Sequence, residues 1–303
     1  MNVSSSFKLS INGTQKRIHS VSEFVKHVMI WKKGEEYPIA FRGQKYSKWS
    51  TTAKIFRVNG IADHEHEAVR DLISIHPQEF HSDQSMFDRL VRMQHYDLPT
   101  RLLDVSTNPL VALWFAAQDH KEGKVNAAGK VQAFFVPKGR QAYYDSDRVS
   151  LIANLANLKP DQKREIFSKL DDPDFNECDS IQELIHQVSV EKPHFRNKIN
   201  PNDFKLPLYV HPKMANRRII AQSGAFIIYP KNGVTFRDDD PKIRINSVVV
   251  PHAAKEPIRR ELERLGIYAS MLFPEIDKAS QFIVNRYKGV EETTRRDDIK
   301  NLA

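Results

Sequence analysis

Apolar positions along this chain follow two rhythms, and the switches between them lay out its elements. In SVSEFVKHVMIW (20–31), Phe24, Val25, Val28 and Met29 fall at helical spacing behind a serine, which predicts a capped helix. YPIAFRG (37–43) reads as a strand, and FKLSING (7–13) as an earlier strand or arm. DHEHEAVRDLISIH (63–76) predicts a helix with an aspartate cap and a solvated acidic first turn. QSMFDRLVRMQHY (84–96) predicts another, with Phe87, Leu90, Val91 and Met93 on its apolar face. LPTRLLDVS (98–106) is short and extended, and Asn108-Pro109 then starts a largely buried helix, PLVALWFAAQDH.

The second half repeats the alternation. KVQAFFVPK (130–138) is a strand, and residues 142–200 hold three amphipathic segments, SDRVSLIANLANL, DQKREIFSKL and IQELIHQVSVEK, which form a helical insertion. LPLYVHP, RIIAQSGAFIIYP and KIRINSVVVP supply later strands, followed by helices over KEPIRRELERLGI and DKASQFIVNRY. The expected organisation is an N-terminal segment (1–36) packed on a core, one domain over 37–290 carrying the insertion, and a frayed tail from 291.

Composition narrows the function classes. With 303 residues, 40% hydrophobic and 28% charged, the chain can bury a sizeable core as a soluble globular protein. Its longest apolar runs are too short to cross a bilayer, and its start shows no signal peptide. The cytoplasm is the expected location. A single cysteine, Cys178, leaves no internal disulfide and no cysteine cluster for zinc. His64 and His66 stand two apart on a predicted helix and point away from each other, so no metal site is expected there. The net charge of +8 favours polyanionic partners such as nucleic acid or phosphorylated cofactors. GxGxxG, GxxxxGK[ST] and GxSxG motifs are absent.

Several motifs carry a resemblance. Phe41-Arg42-Gly43 with Gln44 and a following IFR, then MQHYDLPTRLLDVSTNPLVALWFAA (93–117), then RIIAQSGAFII (218–228) and LGIYASMLFPEID (265–277) together resemble the FRG domain family. Two positions depart from its pattern: Asp97 stands where glycine is usual, and Val105 where tryptophan is common. More distantly, a strand ending in aromatic-Arg-Gly, the Ser106-Thr107 pair, Ala112, Phe115 and Ala116, and the strand before Gly224 resemble ADP-ribosyltransferases of the arginine-serine-glutamate type.

That resemblance implies an α+β fold with an ADP-ribosyltransferase-like core of short β-sheets and NAD as cofactor. The FRG resemblance implies an effector of toxin or phage-defence type; charge and family context point to a nucleic acid or protein acceptor, and a neutralising partner protein stays open. The cofactor-binding set is then Arg42, Gly43, Arg101, Ser106, Thr107 and Gln222, because a planar guanidinium matches phosphate oxygens. The position of the usual catalytic glutamate falls on Arg218, whose charge has the wrong sign for a cationic transition state. Asp104, Glu275 and His95 are the remaining catalytic candidates. Plainer readings stand beside these. Ser106 and Thr107 can satisfy backbone groups at the helix start. Asp104 can be buried against Arg42 or Arg101 to fix its loop, and His95 can close a helix. A non-catalytic nucleotide- or RNA-binding module is the alternative function, and a nuclease using His95 is a third.

Overall fold

The computed structural model describes residues 16–32, 36–232 and 243–276, together with 280 and 284. The arm expected over 7–13, the helix expected over 277–287 apart from Ser280 and Val284, and the tail from 291 lie outside the described residues. In chain order the elements are α1 (Val21–Ile30), β1 (Ala40–Gln44), α2 (Glu65–Ile75), α3 (Pro77–Phe80), α4 (Met86–His95), β2 (Leu102–Ser106) and α5 (Pro109–Ala116). A small hairpin, β3 (Lys121–Glu122) and β4 (Val125–Asn126), leads to β5 (Gly129–Phe135) and β6 (Gln141–Tyr143). The insertion contributes α6 (Asp147–Asn154), α7 (Pro160–Ser168) and α8 (Asp179–Glu191). Then follow β7 (Leu208–His211), α9 (Arg217–Ala221), β8 (Gly224–Ile228), β9 (Arg244–Val250), α10 (His252–Arg264) and α11 (Ala269–Leu272).

Local chemistry sets the helix starts. Ser20, Ser85 and Asn108 each accept a hydrogen bond from a first-turn N–H, and Pro109 follows Asn108 at a position that needs no donor. Two expectations for local structure are corrected. RIIAQSGAFIIYP is not one strand: Asn216 caps the short α9, Ser223 turns the chain at φ 47°, and only then does β8 begin. The apolar pair Ile219-Ile220 had joined helix and strand into one run. The first turn of α2 is solvated only in part, since Glu67 is exposed but Glu65 is 3% exposed, and Asp63 does not cap it.

Seven strands form a mixed sheet in the order β6-β7-β8-β2-β1-β5-β9, antiparallel except for β6 with β7. Pairing is uneven. β1 joins β5 through five residue pairs and β2 joins β8 through five, whereas β1 and β2 share one, Phe41 with Ser106. The sheet is therefore two half-sheets hinged at a single pair and open beyond it. Helices α1, α5 and α10 cover the half containing β5, burying Phe24, Phe41, Val131 and Phe135. Helices α4, α6 and α8 cover the half containing β8, burying Phe87, Leu90, Leu184 and Phe226. Because side chains alternate across a strand, Ala40, Leu103 and Ile227 face the other way, where Ala53 and Ile55 pack on them.

A buried ion-pair triad ties the insertion to this core. Arg101 Nε donates to Glu65 at 2.9 Å, Lys163 Nζ of α7 donates to the same carboxylate at 2.7 Å, and Arg101 Nη1 donates to the carbonyls of Tyr229 and Pro230. Among the described residues, no helix is long and apolar enough to cross a membrane.

Candidate functional site: a cationic cleft at the split in the sheet

Alternation along β1 sends Arg42 and Gly43 to opposite faces, and their roles separate accordingly. Gly43 faces α5, where a Cβ would lie 1.8 Å from the Ala112 carbonyl oxygen. The glycine and the small residues Ala112 and Ala116 let strand and helix backbones touch. Arg42 points into the opening between the half-sheets. Its Nη1 donates to the main-chain carbonyl of Asp104 at 2.5 Å, a β2 group that has no β1 partner beyond the split. Its Nε is shielded from solvent and finds no acceptor.

The opening is the floor of a cleft of about 220 Å³. Lys54 and Arg57 enter from the connection after β1, while Gln94 and His95 come from α4, and Arg218 and Gln222 from α9 and its end. Arg57, like Arg42, has a shielded Nε with no acceptor. Burial pulls the pKa of both arginines down, with the Asp104 charge opposing. The two guanidinium charges also destabilise each other at Arg42. Lys54 donates to the carbonyl of Asp97 at 3.0 Å, and Asp97 holds φ 67°, a left-handed conformation that explains why glycine suits this position. The cleft thus gathers four cationic side chains against the carboxylates of Asp97 and Asp104.

A second cavity, about 450 Å³, lies beyond a wall of His95, Asn216 and Arg218 that lines both spaces. Glu275 lines this second cavity, with Oε1 3.3 Å from Nε2 of His95.

Of the residues expected from sequence, Arg42, Asp104, His95 and Gln222 line the cleft, and Glu275 lies across the wall. Four others are placed elsewhere. Gly43 packs on α5. Arg101 is 1% exposed and saturated by Glu65 and two carbonyls. Ser106 Oγ donates to the Gln222 carbonyl and accepts from the Asn108 N–H, and Thr107 Oγ1 donates to the Ser223 carbonyl. That pair closes the β2–α5 turn against β8, as the plainer reading held. Asp104 is exposed rather than buried, because the β2 edge it occupies is unpaired there. The position aligned with a catalytic glutamate, Arg218, lies on a helix rather than a strand, its guanidinium 4.9 Å from the Phe273 ring centre. Lys54, Arg57 and Asn216 went unassigned, although Arg57 belongs to the IFR tripeptide quoted above.

Residues 37–124 match the FRG domain family model. The chain carries an FRG domain. No curated protein and no solved structure matches the chain. The ADP-ribosyltransferase resemblance therefore rests on the motifs alone. The FRG match contains β1, Arg42, Arg57, α4, Asp104 and α5, and so supplies one side of the cleft. Arg218, Gln222 and Glu275 come from beyond the matched stretch.

Proposed function

We propose that the cleft at the split in the sheet binds a nucleotide through its phosphates, with NAD as cofactor, and that the protein is an ADP-ribosyltransferase-like effector acting on nucleic acid. One observation carries this reading: Arg42 and Arg57 each keep a shielded, unpartnered Nε in a cleft with an excess of positive charge. A phosphate supplies acceptors to both guanidiniums and offsets their mutual repulsion. The residues present fit such a ligand. At about 220 Å³ the cleft takes a phosphate-ribose portion, below the roughly 300–1,000 Å³ of pockets that enclose a whole drug-sized ligand. The remainder of a dinucleotide would extend past the wall formed by His95, Asn216 and Arg218.

NAD, when bound, supplies a glycosidic bond whose cleavage leaves positive charge on the sugar. Asp104 is the carboxylate of this chain that reaches the cleft beside Arg42, and its charge has the sign that stabilises such a centre. Arg42 would bind and orient the phosphates, Gln222 would hold the opposite wall through its bond to the Leu272 carbonyl at 3.0 Å, and His95 would sit between the two cavities. The toxin or phage-defence role, the cytoplasmic location and the neutralising partner rest on the family resemblance. A nucleic acid acceptor draws on the net charge of +8.

A second reading, a nucleotide- or RNA-binding module without turnover, is favoured by Arg218 at the position of the usual glutamate. Incubating the full chain with adenosine-labelled NAD and total RNA, DNA or lysate separates the two. Nicotinamide release or label transfer that disappears in Arg42→Ala supports the enzyme. Binding by calorimetry without turnover supports the module. No NAD binding by a folded protein overturns both NAD proposals.

A further inference from the structure

The second cavity has a chemistry of its own. Both carboxylate oxygens of Glu275 are shut off from solvent, and neither accepts a hydrogen bond. His95 approaches Oε1 at 3.3 Å without hydrogen-bond alignment. The guanidinium of Arg218, in the same cavity, is engaged elsewhere, over the Phe273 ring and toward the His95 carbonyl. Among the described residues, no ion pair joins Glu275 to Arg217 or Arg218. A shielded carboxylate whose one near donor, His95 Nε2, is poorly aligned is costly, so the space is complementary to a group that brings further N–H donors.

The other lining groups narrow that ligand. Asn216 Oδ1 is used in capping α9 and its Nδ2 lies 3.5 Å from His95 Nδ1, which leaves one amide N–H at this wall alongside the Arg218 guanidinium. Arg217 is exposed at the rim. One carboxylate acceptor set against neighbouring donors matches the edge of a nucleobase that carries an amino group beside ring acceptors. A cationic rim matches the phosphates of its strand. The cavity, at about 450 Å³, has room for a single base.

We propose that this cavity binds a nucleobase bearing an exocyclic amino group, with Glu275 accepting its N–H and Arg218 or Asn216 donating to its ring acceptors. Binding stands on the cavity alone; the base's role as acceptor of ADP-ribose rests on the NAD reading above. On that reading Glu275 would take the amino proton as the base nitrogen bonds to the sugar carbon, the electron pair of the broken bond going to the departing nicotinamide. The shared wall brings the two bound groups side by side.

Fluorescence anisotropy of the full chain with labelled single-stranded hexamers of deoxycytidine and deoxythymidine tests this, because thymine presents an oxygen where cytosine presents the amino group. The expected result is tighter binding of the cytidine hexamer by at least about fivefold. Glu275→Ala should erase that preference, Glu275→Gln, whose amide oxygen still accepts an N–H, should keep part of it, and Arg42→Ala should keep it whole. Equal affinities in the wild type, or a preference that survives Glu275→Ala, would overturn the proposal. Calorimetry with NAD on the same proteins keeps the two readings apart. Lost NAD binding with the cytidine preference intact sinks only the NAD site, and the converse sinks only this one.

Discussion

The guanidinium of Arg42 crosses the opening between β1 and β2 to the main-chain carbonyl of Asp104, and the Asp104 carboxylate is left to the cleft. The bond substitutes for the cross-strand hydrogen bonds that β1 and β2 lack beyond Phe41 and Ser106. Arg42 thus holds the split at a fixed width and presents a donor inside it.

Replacing Arg42 separates those two duties. Arg42→Ala leaves the Asp104 carbonyl unpaired and should cost about 1–3 kcal/mol of stability, read by denaturant unfolding. It should also weaken nucleotide binding by about tenfold or more, as expected for a charge-assisted bond to phosphate. Arg42→Lys should recover part of the stability but little of the affinity, since an ammonium cannot reach a carbonyl and a phosphate with one planar fork. Equal affinities for Lys and Arg at this position would remove Arg42 from the phosphate site.

Gly43→Ala predicts the opposite pattern. A Cβ there would lie 1.8 Å from the Ala112 oxygen and 2.7 Å from the Ala116 nitrogen, both backbone atoms that cannot swing aside. β1 must lift from α5, at a cost of about 3 kcal/mol or more. The effect should appear as a lower Tm, while the protein that remains folded keeps its nucleotide affinity. Those results together would mark Gly43 as a packing residue of the FRG tripeptide and Arg42 as its binding residue.

Acid should release the insertion through Glu65. Burial pushes the Glu65 pKa up, but the charges and hydrogen bonds of Arg101 and Lys163 outweigh it and hold the carboxyl below the usual range. A carboxylate with a depressed folded pKa stabilises above its unfolded pKa, and that contribution is lost as pH falls through the folded value. Wild-type stability should therefore drop below about pH 4.3 more steeply than that of Glu65→Gln. Glu65→Gln at neutral pH should lose about 3–5 kcal/mol, because Arg101 is left buried with one partner fewer. Parallel pH profiles for the two proteins would rule out the triad as the source.

These cases show how far the sequence could be read. Periodicity and capping found α1, α4, α5 and the three insertion helices, because each turn writes its apolar spacing and its cap locally. The tripeptide Phe41-Arg42-Gly43 could be recognised, but the division of labour within it depends on which face of β1 meets α5. The partner of Arg101 stands thirty-six positions away in α2, in a turn that looks solvated when its charges are counted without its neighbours. The split in the sheet was equally hidden, since it follows from the number of pairs β1 makes with β2 and not from the character of either strand. Arg57 was within view in IFR, but nothing local says that the turn over Lys54–Phe56 folds back to the cleft.

Alkali should favour the fold through Lys255. Its ammonium is fully buried, donating to the carbonyls of Lys45 and Gln118 at 2.8 Å each, with Asp119, Arg259 and Lys45 as charged neighbours. Burial is the main cause that lowers its pKa to about 8, with Asp119 opposing. The unfolded chain, titrating near 10.4, holds more protons between these values, so stability rises with pH across that window. The neutral amine still has a hydrogen for each carbonyl, and the two bonds persist. Unfolding at pH 7.5 and 9.5 should show a gain for the wild type that Lys255→Met lacks; a gain of the same size in both would assign it to other groups.

Asp104→Asn is the sharpest test of the proposed reaction. The side chain is exposed to the cleft and makes no ion pair among the described residues, so the substitution should change stability by no more than about 0.5 kcal/mol. It removes the negative charge nearest Arg42 and Arg57, whose pKa values Asp104 raises. Anion binding should strengthen as a result. If Asp104 stabilises a cationic sugar, kcat should fall by about 100-fold or more while the affinity for NAD holds or improves. A matched fall in kcat and stability would instead show that Asp104 supports the split strand and that the charge-stabilising group lies elsewhere in the cleft.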